Sequence, residues 1–121
     1  MKNILLVEDD PFLVDIYTTK FKEAGFQVET VSNGNEAMNK LKEAKPDLLV
    51  LDIVLPQSDG WEVLRQIRED EDLRHLKVAI LSNLSQKAEV NKALALGAVR
   101  YLIKAHYTPS EIVKEIRKIL S

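Results

Sequence analysis

The sequence predicts an α/β domain: a doubly wound parallel sheet of five strands with five helices packed on its two faces. Two observations carry that reading. Short, continuous apolar runs recur at Ile4–Val7, Leu48–Leu51 and Val78–Leu81, a pattern that suits strands covered on both faces. Between them lie segments of helical period, each opened by a capping residue or closed by glycine or proline. Strands alternating with helices in this way build right-handed βαβ units.

The elements follow in order. After the first strand, Pro11 to Ala24 reads as a helix, with Leu13, Ile16, Tyr17, Phe21 and Ala24 at three- and four-residue spacing and Gly25 as its stop. Phe26 to Val31 reads as the second strand. Asn33 caps the next helix with Glu36 as its capping-box partner, Ala37, Leu41 and Ala44 line its buried stripe, and Pro46 ends it. The central strand Leu48–Leu51 is followed by turn signals at Pro56, Asp59 and Gly60, then a helix carrying Val63, Leu64 and Ile67. The fourth strand ends in Ser82-Asn83. Ser85 is the expected cap of a helix with Val90, Ala93, Leu94 and Leu96, which stops at Gly97. Arg100 to Ile103 is the fifth strand, followed by Lys104. Thr108-Pro109-Ser110-Glu111 joins an N-cap, a first-turn proline and a capping-box acid, and Ile112, Val113, Ile116, Ile119 and Leu120 form one stripe.

At 121 residues the chain is expected to be one domain over residues 1–121. A formal net charge of −2 argues against bulk attraction to nucleic acid or anionic lipid. The chain has no cysteine, so disulfides, thiolate metal sites and cysteine nucleophiles are excluded. No apolar run has the length of a membrane span or signal-peptide core, and the default expectation is a cytoplasmic location.

The chemistry gathers at the carboxyl ends of the strands, where open parallel sheets bind their ligands. Glu8, Asp9 and Asp10 end the first apolar run, Asp52 ends the central one, Ser82 the fourth, and Lys104 the fifth. Each has an ordinary structural explanation: an acid opening a helix at Asp10-Pro11, a turn cap, a strand end, a surface cation. Together they form a site. Carboxylates at close quarters repel unless a cation is present, and such hard oxygens suit magnesium. A lysine and a hydroxyl beside them can hold a phosphoryl oxygen.

On these residues the chain resembles the receiver domain of bacterial two-component response regulators, the family of the chemotaxis signalling protein. Val7-Glu8-Asp9-Asp10 is similar to the family's acid pair, and Leu51-Asp52, Leu55-Pro56 and Asp59-Gly60 to its phosphoacceptor loop. Ser82 matches the switch hydroxyl, Tyr101 the switch aromatic and Lys104 the family's lysine. The resemblance implies a flavodoxin-like fold with strand order 2-1-3-4-5. It also implies Mg2+ held by Asp9, Asp52 and the Val54 carbonyl, with Glu8 acting through water. Asp52 would then accept a phosphoryl group from a histidine kinase or phosphotransfer protein. Two positions depart from the pattern. Ala105 replaces the usual proline after the lysine, leaving the bond between them either cis under strain or trans, and Asn83 replaces a small residue after the switch hydroxyl.

The expected function is therefore a phosphorylation-dependent signalling switch whose only chemistry is its own phosphorylation and dephosphorylation. Three alternatives compete with it. A magnesium-dependent phosphatase with an aspartate nucleophile commonly carries a second Asp two residues on, where this chain has Val54. A nucleotide- or flavin-binding domain lacks its glycine-rich fingerprints here. A docking receiver that works without phosphorylation would not need the intact acids, Ser82 and Lys104. Phosphorylation is expected to turn Tyr101 inward and to alter the surface formed by the fourth helix, fifth strand and last helix. Lys87, Lys92, Glu111, Glu115 and Arg117 give that surface mixed charge suited to a phosphorylation-dependent homodimer. Phe12, Val14, Asp15 and Tyr107 form the expected kinase-docking patch, with Phe12 and Val14 off the buried stripe of their helix. His75 and His106 read as ordinary loop residues, and Trp61 as packing near the loop.

Overall fold

The computed structural model describes residues 1–121. Five strands, β1 (Asn3–Val7), β2 (Gln27–Val31), β3 (Leu48–Leu51), β4 (Val78–Ser82) and β5 (Arg100–Ile103), form one sheet in the order β2-β1-β3-β4-β5. Every pairing is parallel. The helices are α1 (Pro11–Glu23), α2 (Gly34–Glu43), α3 (Gly60–Glu69), α4 (Lys87–Ala95) and α5 (Pro109–Leu120). No helix is long and apolar enough to cross a membrane.

The two-residue period of the strands divides the core. Leu5, Val7, Leu49, Leu51, Val78 and Ile80 face one layer together with Leu41, Leu64, Ile67 and Ala93 of α2, α3 and α4. Ile4, Leu6, Leu48, Val50, Ala79, Leu81 and Leu102 face Tyr17, Phe21, Ile112 and Ile116 of α1 and α5. β3 is apolar at every position, and β1 and β4 are apolar apart from Asn3 and Ser82 at their ends, because both faces of these central strands are covered. Burying one such leucine or isoleucine stabilises the fold by about 1.5–3 kcal/mol.

The ends of the elements depart from the sequence reading at several places. β2 begins at Gln27, because Phe26 turns inward to meet Phe21 edge-on, with ring centroids 6.2 Å apart. In α1 only Tyr17 and Phe21 are fully buried; Leu13, Ile16 and Ala24 are half-buried, and Ala24 is the C-cap. Asn33 caps α2 as expected, but the Glu36 carboxylate accepts from the Ser32 N–H, one residue before the expected partner. Ala44 is exposed, because the chain leaves α2 in extended conformation there, short of Pro46. The cap of α4 is Gln86, not Ser85: the Glu89 carboxylate accepts from the Gln86 N–H, and Leu94 faces solvent on the outer side of this short helix. Gly25 and Gly97 stop their helices at φ of 93° and 86°, left-handed values that favour glycine.

Long-range polar contacts close the layers. Arg68 donates to the carbonyls of Leu96, Gly97, Arg74 and Leu76, joining α3 to the loops around β4 and α4. Burial without a carboxylate partner lowers its pKa. The Lys92 ammonium sits 4.3 Å from the Trp61 ring centroid, tying α4 to α3. Arg117 donates to the Ala24 carbonyl at the end of α1, tying α5 to α1. Glu115 bridges β5 and α5 through Arg100 at 2.7 Å.

Candidate functional site

Register alone brings the acids together. Val7 pairs with Leu51, so Glu8 and Asp52 leave the sheet side by side, and the Asp52 N–H donates to the Val7 carbonyl. Ser82 pairs with Ile103, which sets Lys104 one step beyond it. By the same two-residue period, Glu8, Asp52 and Lys104 continue the α1/α5 face, while Ser82 and Tyr101 continue the α2–α4 face.

The Lys104 Nζ lies 2.5 Å from Glu8 Oε1 and 2.6 Å from Asp52 Oδ2, with all three groups buried or nearly so. Burial raises the Glu8 pKa, against the opposing hydrogen bonds from Lys104 and the Asp10 N–H. Burial also pulls Lys104 down, but its hydrogen bonds and charge attraction to Asp52 and Glu8 outweigh that, and its pKa ends above the ordinary value. Asp9 is exposed, yet ligand oxygens of Glu8, Asp9 and Asp52 lie within 4.8 Å of one another. Three carboxylates around one ammonium leave a net negative charge, and an all-oxygen donor set of this kind fits a hard divalent cation.

The loop after β3 is wound tightly around Asp52. The Val54 N–H donates to Asp52 Oδ1 and the Gly60 N–H to the Ile53 carbonyl. A Cβ on Gly60 would stand 2.3 Å from the Asp52 carbonyl oxygen, which explains the glycine at the start of α3. Gln57, at φ 68°, holds the loop's tightest point, with the Ser58 N–H bonded back to the Pro56 carbonyl. Asp59 caps α3 by accepting from the Glu62 N–H.

The opposite wall comes from β4 and β5. Ser82 is fully buried, and its Oγ accepts from the Leu84 N–H. The Tyr101 hydroxyl donates to the Leu84 carbonyl at 2.6 Å, leaving the ring half-buried behind Ser82. Burial, then the Glu89 charge, raises the Tyr101 pKa, with the Ser82 hydroxyl opposing. Every peptide bond is trans, including Lys104–Ala105, and Lys104–His106 forms a single 3₁₀ turn. The Asn83 side chain turns to the loop after β5, where its Oδ1 accepts from the Ala105 N–H.

The expected docking residues are less uniform. Phe12 is 71% exposed and Asp15 is exposed, but Val14 is half-buried. Tyr107 is also half-buried, packed against the core layer of α1 and α5. His75 and His106 are exposed.

Comparison with known proteins agrees with this geometry. A family model described as the response regulator receiver domain matches residues 4–117. The alkaline phosphatase synthesis transcriptional regulatory protein PhoP of Bacillus subtilis is 36% identical over 121 residues, covering 98% of this chain and 48% of that protein. The chemotaxis protein CheY of Thermotoga maritima is 30% identical over 119 residues, covering 98% of this chain and 97% of that one. The chain spans about half the length of the first curated relatives it matches. Among solved structures, the Mn(2+)-bound form of response regulator Rcp1 aligns with a TM-score of 0.89 at 27% identity, covering 99% of this chain and 94% of that one. The BeF3-activated DrrB receiver domain aligns at 0.85 and 28%, covering 99% and 97%.

Proposed function

The chain belongs to the response regulator receiver domain family, and from that premise we propose that Asp52 is its phosphoacceptor and Mg2+ its metal. Receiver domains of two-component systems are signalling modules, not conventional enzymes, and take their phosphoryl group from histidine kinases. The observation that carries the assignment is the Asp52 carboxylate, 5% exposed, bonded to Lys104 and ringed by the oxygens of Glu8 and Asp9.

In the proposed reaction an Asp52 oxygen attacks the phosphorus of a phosphohistidine. A P–O bond forms, the P–N bond breaks, and its electron pair returns to the imidazole, which takes up a proton. Lys104 and the Ser82 hydroxyl are suited to the phosphoryl oxygens, since an ammonium and a donor hydroxyl stabilise charge there. Asp9, Asp52 and the Val54 carbonyl would hold the cation, with Glu8 acting through water. A bound cation supplies compensation for the charge on the transferring group. Water later attacks the same phosphorus and releases phosphate, restoring the carboxylate.

The phosphoryl group adds about two negative charges. Lys104 is then drawn from Glu8 toward it, and the change spreads through Ser82 and Tyr101 to α4, β5 and α5. Phe12, with Asp15 and the partly covered Val14 and Tyr107, is the proposed kinase-facing patch, its aromatic ring exposed one turn from the acids. The assignment of Asp52 is tested by treating the phosphorylated protein with borohydride, which reduces an acyl phosphate to an alcohol, and mapping the peptides. Reduction at Asp52 is expected; reduction at Asp9 or elsewhere would overturn the assignment.

A further inference from the structure

The residues at 83 and 105 are matched to each other. Ala105 lies in the first positions of the 3₁₀ turn Lys104–His106, where a backbone N–H has no partner within the turn. Asn83, 22 residues earlier, supplies that partner: its Oδ1 accepts from the Ala105 N–H at 3.0 Å. The bond acts as an N-cap delivered from another loop. A proline at 105 would have no N–H to give, and an alanine at 83 would have no acceptor.

The position of this bond gives it a function. Asn83 directly follows Ser82, whose hydroxyl is buried at the end of β4, and Ala105 directly follows Lys104, whose ammonium holds Glu8 and Asp52. The two groups suited to the phosphoryl oxygens are therefore cross-linked through their neighbours' atoms, on the solvent side of the site. We propose that Asn83 is a positioning residue for Lys104, latching the loop after β4 to the loop after β5 so that Ser82 and Lys104 approach the phosphoryl group as one unit. This rests on Asp52 being the phosphoacceptor. Asn83 is exposed and takes no part in the core, so its substitution leaves the fold standing.

The test is a cycle of Asn83→Ala, Ala105→Pro and the double variant, with two readouts. Without any phosphodonor, hydrogen exchange at the Ala105 amide accelerates about fivefold in Asn83→Ala, the factor one hydrogen bond of ordinary net strength carries. Asn83→Asp, which keeps an acceptor oxygen, retains the protection. With acetyl phosphate and Mg2+, Asn83→Ala slows phosphoryl uptake by a similar factor in the parent chain and has no effect in the Ala105→Pro background. Unchanged exchange at Ala105, or the same slowing in both backgrounds, overturns the inference. A parent chain that takes up no phosphoryl group at all fails the phosphoacceptor assignment instead, and the exchange readout still decides whether the latch exists.

Discussion

Replacing Lys104 with methionine removes the only cation bonded to two buried carboxylates. Its Nζ lies 2.5 Å from Glu8 and 2.6 Å from Asp52, with side-chain exposures of 10%, 2% and 7% for the three residues. Each contact corresponds to about 6 kcal/mol of Coulomb attraction at an effective dielectric constant of about 20. Most of that is offset by the cost of bringing the charges out of water. The loss on breaking the cluster is set by what remains, two buried carboxylates without a partner, and amounts to about 3–5 kcal/mol. That is a large share of the roughly 5–15 kcal/mol that stabilises a domain of this kind. Urea denaturation at pH 7 in EDTA should therefore show a large fall in midpoint for Lys104→Met. Mg2+ should restore more stability to the variant than it adds to the parent chain, since the ammonium no longer competes for the same oxygens. The alkaline limb changes too. Lys104 is raised above its ordinary 10.5, so its stabilisation is present below that value and lost as pH rises through the higher folded pKa; the variant lacks this limb. A variant as stable as the parent in EDTA, or one indifferent to Mg2+, would mean that Lys104 does not hold the two carboxylates together.

Other outcomes follow from the same geometry. Burial raises Glu8 above 4.5, so the folded state holds its proton more tightly than the unfolded state, and stability falls as pH climbs from 4.5 through the folded pKa. Glu8→Gln should abolish that decline and leave the metal-free protein more stable at neutral pH; a decline that persists in urea titrations across this range would contradict it. Gly60→Ala forces a Cβ against the Asp52 carbonyl and should cost about 1–3 kcal/mol, read as a lower urea midpoint at unchanged slope. Phe12→Ala should slow transfer from a histidine kinase while leaving acetyl phosphate uptake nearly unchanged; equal losses with both donors would mean that Phe12 serves the fold or the metal site.

The architecture was legible because both faces of the central strands are covered, so Leu48–Leu51 and Val78–Leu81 carry no polar residue that blurs them. The candidate site was legible for a related reason: strand ends are marked in the sequence, and parallel register brings Glu8, Asp52 and Lys104 to one edge. Local signals failed where neighbours competed. Ser85 and Gln86 are both polar and adjacent, and only the contact with Glu89 selects Gln86 as the cap of α4. Contacts that span the fold left no local mark. The Arg68 guanidinium is spent on carbonyls up to 29 residues away, and the sequence around it reads as an ordinary helix surface. Asn83 and Ala105 each stood out as a departure from the family pattern, but their hydrogen bond exists only once β4 and β5 are paired. Gln57 gave no warning of its left-handed backbone, because glutamine is not a residue that turns demand.

Intact mass decides whether Asp52 takes up a phosphoryl group in a Mg2+-dependent reaction. The chain is incubated with acetyl phosphate in Mg2+ and in EDTA, alongside Asp52→Asn. The parent chain in Mg2+ is expected to gain the mass of one phosphoryl group, and to gain none in EDTA; the variant gains none in either. Modification that survives Asp52→Asn, or proceeds equally in EDTA, would contradict that expectation.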